Sequence, residues 1–110
     1  IRDSLLPGEM LKYLALDFLN KFSEIVGRYY NHNMYKEYLG KSLNLFQNIV
    51  QSKKKIIDND IYIIYLSAGI CYYYLHKMSL TNISIKEIVN IYHIKNKHIL
   101  EYYEIIKNLE

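Results

Sequence analysis

Lys86, Lys95, Asn96, Lys97 and His98 are the residues whose types and spacing suggest chemistry, and that chemistry is polyanion binding. Ammonium groups beside a carboxamide and an imidazole, at the start of a helix, can hold phosphates and reach base edges in a major groove. Lys86, further upstream at another helix start, is suited to a backbone phosphate. The bland alternative is a solvated helix end in a lysine-rich chain. Lys53, Lys54 and Lys55 form the only basic triplet, which suits DNA, an acidic partner or simply a solvated loop.

Catalytic arrangements find little support. His93 and His98 are five apart, about 140° round a helix, so they cannot share a metal as i, i+4 histidines do. His32 and His76 stand alone in the sequence. There is no glycine-rich phosphate loop, no carboxylate pair distinct from surface charge and no nucleophile elbow. The single cysteine, Cys71, excludes an internal disulfide framework and a thiolate zinc cage, and its setting makes it a small buried hydrophobe. We therefore expect no enzymatic activity, no metal, no cofactor and no small-molecule substrate. Thirteen tyrosines invite base stacking, but most fall on stripes that a core would bury.

With 51% hydrophobic and 23% charged residues the chain is globular in composition, and 110 residues make one domain spanning 1–110. Ile, Lys, Asn and Tyr supply 52 of the 110 residues, all with A/T-rich codons, which points to genome base composition before functional selection. A net charge of +3 is basic but modest for a stand-alone DNA binder. The sequence starts at Ile1 without an initiator methionine and lacks a signal peptide, which suggests an excised piece of a longer protein.

Helical periodicity dominates, and five helices are expected. The first follows Pro7 and Gly8, with a stripe of Leu11, Leu14, Ala15, Phe18, Phe22, Ile25 and Val26; Gly27 is its stop unless Arg28 to Tyr30 extend the last turn. Asn33 is the expected cap of a second helix with Tyr35, Tyr38, Leu39, Ser42, Leu43, Phe46, Ile49 and Val50 inward, and Gly40 would permit close helix contact. Asp58, Asn59 and Asp60 are candidate caps of the third helix, about 60–78. That helix is apolar or aromatic on every face from Ile61 to Leu75 except at Ser67. Such a helix belongs in the middle of a bundle, since His76 and Lys77 close the run short of the ~20 residues a membrane span needs. Ser84 and Glu87 form a capping box, with Ile83 and Ile88 at the positions of a hydrophobic staple. They start a short helix, Ile85 to about Tyr92, which leads through 93–96 into a last helix carrying Ile99, Tyr102, Tyr103, Ile106 and Leu109. The pair is a helix-turn-helix unit.

The segment AGICYYYLHKMSLTNISIKEIVNIYHIKNKHILEYYEII resembles a cyclin-like repeat from the core of the transcription factor IIB family. Ala68, Gly69 and Cys71 stand for the family's small residues, and Tyr72 and Tyr73 for its aliphatic and aromatic pair. Lys86, Glu87 and Ile88 match its Lys-Glu-Ile step, and Ile91, Ile94, Ile99 and Tyr103 follow at its spacing. Close similarity covers about the last 45 residues; the first 58 match in helix count and length. The family's turn glycine is His93 here, the threonine opening its recognition helix is His98, a frequent basic residue is Leu100, and its Ser-Pro step is Asp-Asn-Asp.

The resemblance implies an all-α, cyclin-like five-helix bundle with a buried central third helix. It also implies a transcription initiation module that bridges promoter DNA, a TATA-binding protein and an RNA polymerase, nuclear in a eukaryote and otherwise intracellular. DNA contacts would fall to Lys86, Lys95, Asn96, Lys97 and His98. Two other readings stay open: a regulatory cyclin gripping a protein kinase, although its early-helix Lys and Glu pair is not found, and a helical interaction module without DNA binding.

Overall fold

A computed structural model describes residues 7–51 and 62–109, which form α1 (Pro7–Tyr29), α2 (His32–Gln51), α3 (Tyr62–Lys77), α4 (Ile85–Tyr92) and α5 (Asn96–Leu109). No strand occurs among the described residues, so the chain is all-α. The arrangement follows from α3, which has no polar face to leave in water. It touches all four other helices and buries residues on every side, from Ile63, Ile64 and Leu66 to Cys71, Tyr73 and Leu75. Asp58 to Asp60, the expected caps of α3, lie outside the described residues, as does the Lys53 to Lys55 triplet.

Helices α1 and α2 form an antiparallel hairpin. The pairs Gly27 with Tyr35 and Phe22 with Tyr38 run in opposite senses along the two helices. Gly27 does not stop α1, which continues to Tyr29. A Cβ at Gly27 would lie 2.8 Å from the Tyr35 Cβ, so this glycine is where the hairpin closes. The α2 cap is Asn31 and not Asn33: the Met34 N–H donates to Asn31 Oδ1 at 2.8 Å, because α2 starts at His32, two residues earlier than expected. Gly40 makes no close helix contact; a Cβ there would meet nothing within 4 Å. The α1 stripe is also rotated. Leu14 is 42% exposed, whereas Leu19 and Ser23 are buried with Ala15, Phe22 and Val26. In α2 the unexpected core residue is Leu45, and in α5 Leu109 is exposed because it lies past the last turn that α3 covers.

Local chemistry sets both ends of the α3 to α4 connection. The Leu80 N–H donates to Leu75 O at 2.9 Å and the Ser79 N–H to His76 O at 3.1 Å, with Ser79 left-handed at φ 57. This is a Schellman motif, and its apolar contact is Leu80 on Leu75, both buried. Ser84 then caps α4, its Oγ accepting the Lys86 N–H at 3.3 Å. Ile83 and Ile88, the staple, are both buried. The expected capping box is not made: Ser84 Oγ takes the Lys86 N–H and not that of Glu87, whose carboxylate accepts from Tyr29 Oη at 3.0 Å and so ties α4 to the end of α1. Tyr30 Oη accepts the Asn82 N–H at 3.3 Å and fastens the loop in the same place.

A buried chain of hydroxyls joins three helices. Ser67 Oγ lies 3.2 Å from Ala15 O, 2.6 Å from it is Tyr92 Oη, and Cys71 Sγ is 3.4 Å from Tyr92 Oη. A carbonyl only accepts, so the single Ser67 proton points to Ala15, Tyr92 donates to Ser67, and Cys71 donates to Tyr92. Tyr38 Oη adds α2 by donating to Cys71 O. Burial pushes the Cys71 thiol up to about 12, so it is an unreactive member of the core.

Candidate nucleic-acid interface

Helix α5 lies along α3 in the same direction. Tyr65 faces His98 and Tyr102, Gly69 faces Tyr102 and Tyr103, and His76 faces Tyr103, so residue numbers rise together along both helices. The backbones meet at Gly69, where a Cβ would come 2.7 Å from Tyr102 Cβ, 3.0 Å from Tyr102 C and 3.1 Å from Tyr103 N. Ile99, Tyr102 and Ile106 are buried by this contact. The first turn of α5 is thereby held at the same end of the molecule as the first turn of α3.

Three of the expected binding residues are presented together there. Lys95 in the turn and Asn96 and Lys97 at the start of α5 are exposed. Lys95 O accepts the His98 N–H at 3.1 Å and the Ile99 N–H at 3.4 Å. The earlier N–H groups of Asn96 and Lys97 have no intrahelical acceptor by the geometry of a helix start. No acidic residue occupies the first turn of α5. Two ammonium groups, a carboxamide and the positive end of a 14-residue helix therefore share one surface, which favours an anion.

The remaining residues are placed differently. His98 is half-buried, its ring stacked on Tyr65 with centroids 4.8 Å apart and planes 7° from parallel, and its Nδ1 is 3.2 Å from Glu101 Oε1. Tyr65 and Glu101 thus hold the ring in place, with 30% of the side chain still exposed. Lys86 is exposed near the start of α4, and about 9 Å of helix axis separates it from Tyr92 at 1.5 Å per residue. It stands apart from the Lys95 cluster, at the opposite end of α4. The turn between them reverses at His93, left-handed at φ 55 and ψ 42, with its N–H on Val89 O at 2.7 Å.

Several positioning residues escaped the sequence reading. The His98 to Glu101 pair was legible as i, i+3, but Tyr65 under His98, Tyr29 on Glu87 and Tyr92 on Ser67 are separated by tens of residues. Tyr102 Oη is buried without a partner among the described residues, and burial pushes its phenol up to about 12. Tyr38 and Tyr92 are raised well above 10.0, again chiefly by burial. Among the described residues no group of three His, Cys, Asp or Glu could hold a metal, and no helix is long and apolar enough to cross a membrane. No protein-family model matches the chain, and neither a curated protein nor a solved structure matches it.

Proposed function

We propose that this chain is a cyclin-like repeat of the transcription factor IIB kind, a recruitment module without chemistry of its own. It lies against promoter DNA and links it to a TATA-binding protein and an RNA polymerase. The observation that carries the reading is the joint exposure of Lys95, Asn96 and Lys97 where a three-residue turn opens α5. Two further features support it. A central α3 wrapped by four helices is the architecture the resemblance implies, and His93 takes positive φ where the resembled family has its turn glycine. In this reading Lys95, Lys97 and Lys86 hold phosphates, while Asn96 is the base reader, a carboxamide suited to adenine. His98, stacked on Tyr65, sets the turn and reads nothing. The site of action is the nucleus in a eukaryotic cell and otherwise the cell interior.

The test is a titration of promoter-like duplex with the intact protein, with and without a TATA-binding protein, across a salt series. Lys95→Glu with Lys97→Glu is expected to weaken binding and reduce the salt slope by about 2, and Asn96→Ala to flatten sequence preference with little effect on that slope. Binding that is absent or independent of salt overturns the reading. Co-purification with a protein kinase and no shift of promoter DNA favours the regulatory-cyclin alternative.

A further inference from the structure

At the other end of the α3 and α5 pair, a groove of about 430 Å³ opens between the end of α3 and the start of α4. Its floor is Leu75, Leu80 and Ile83, each buried in the core, and its walls are the half-buried Tyr72 and Ile85. The Schellman motif shapes it: Met78, Ser79 and Leu80 turn their N–H groups back onto α3 carbonyls, so the floor offers apolar surface and satisfied backbone. Polar groups sit at the rim, where His76, Ser79, Thr81 and Ser84 are exposed. A volume within the ~300–1,000 Å³ range takes a few side chains, and the lack of convergent buried polar groups argues against a small polar ligand.

Among the described residues no acidic side chain lines the groove. The rings of His76 at the rim and of Tyr72 pack on Tyr103, over which the Lys107 ammonium sits 5.8 Å from the ring centre. Lys86 adjoins Ile85, and the positive end of α4 opens at Ser84. On α4 the Glu87 carboxylate is bound to Tyr29, while on α5 Glu104, three residues before Lys107, is its helix neighbour and offsets part of its charge.

We propose that this groove receives an acidic, apolar-anchored peptide segment of a partner protein. One large apolar side chain enters over Leu75, Leu80 and Ile83, and flanking carboxylates meet His76 and Lys107. This is the helix-in-groove mode, in which apolar anchors supply affinity and rim charges set orientation. About 15 Å of α5 separates Lys107 from Lys97, so the peptide and a polyanion at the α5 start occupy opposite ends and can bind together. The proposal does not rest on the nucleic-acid reading.

The experiment is fluorescence anisotropy of a labelled 15-residue peptide, Leu and Phe spaced three and four apart among Asp and Glu, titrated with the intact protein. Saturable binding is expected, weakened at least about tenfold by His76→Glu with Lys107→Glu, by Thr81→Trp across the mouth, and by a peptide with Asn and Gln for its acids. These sites are exposed, and helix content by circular dichroism checks that each variant is folded. Lys95→Glu with Lys97→Glu is expected to leave peptide affinity unchanged. No saturation by about 1 mM, equal binding by the variants, loss on changing Lys95 and Lys97, or a protein dimer that occludes the groove overturns the proposal.

Discussion

Along the α3 and α5 seam the two backbones touch at Gly69, and a row of aromatic rings from Tyr65 through Tyr102 to Tyr103 fills the rest. Across the turn between α4 and α5 the chain is continuous, yet α4 rests on α1 and α3 while α5 rests on α3. The connection is thus held from outside, by Tyr29 on Glu87, Tyr30 at Asn82, Tyr92 on Ser67 and the left-handed His93. The seam is fixed by steric exclusion and the turn by polar fastening. Where Lys95, Asn96 and Lys97 point is therefore decided by α3, 18 to 35 residues upstream, and not by the helix they follow.

Alkali breaks both regions at once and gives the largest effect. Tyr38, Tyr92 and Tyr102 stay protonated in the fold, Tyr102 up to about 12, whereas the unfolded phenols ionise near 10.0. A raised folded pKa means that stability is intact below pH 10 and falls as pH climbs from there through the folded values. Absorbance of tyrosinate at ~295 nm should rise in two waves, the second coinciding with loss of helix. A single wave near pH 10 with helices intact contradicts this.

Gly69→Ala breaks the seam alone. Its new Cβ meets main-chain atoms that cannot swing aside, so a loss of about 3 kcal/mol or more is expected in urea unfolding. A loss below about 1 kcal/mol would mean that the helices slide apart cheaply. Removing one hydroxyl then separates the regions further. Tyr92→Phe cuts the chain linking Cys71, Ser67 and Ala15 and should cost about 1–3 kcal/mol, whereas Tyr102→Phe, whose hydroxyl has no partner among the described residues, should be neutral or slightly stabilising. Equal losses would erase the distinction. The smallest effect belongs to the turn: His93→Gly relieves a left-handed non-glycine residue and should add about 0.5–1 kcal/mol with helix content unchanged.

What was legible had short range. Ser84 with the Ile83 and Ile88 staple announced α4 because cap and staple join residues at most five apart. The all-apolar face of α3 announced its central place, since no surface position tolerates it. The Leu14 and Leu19 exchange shows the limit: both suit an apolar stripe at helical spacing, and only the neighbours decide which is covered. In the candidate interface, Lys95, Asn96 and Lys97 were legible as a cluster at a helix start, but the capture of His98 by Tyr65 was not.

The glycines mark the same boundary. Gly27, Gly40 and Gly69 are chemically identical and all lie within helices, yet one closes a hairpin, one faces open space and one lets two backbones touch. The sequence by itself determined five helices, which of them is central and where the basic cluster begins, because each depends on side chains within about a turn of one another. Only the tertiary structure decided which glycine lets two backbones touch, that Glu87 is bound to Tyr29 and that His98 is stacked on Tyr65. These depend on what lies opposite, and packing between helices brings together residues whose separation along the chain carries no local signal.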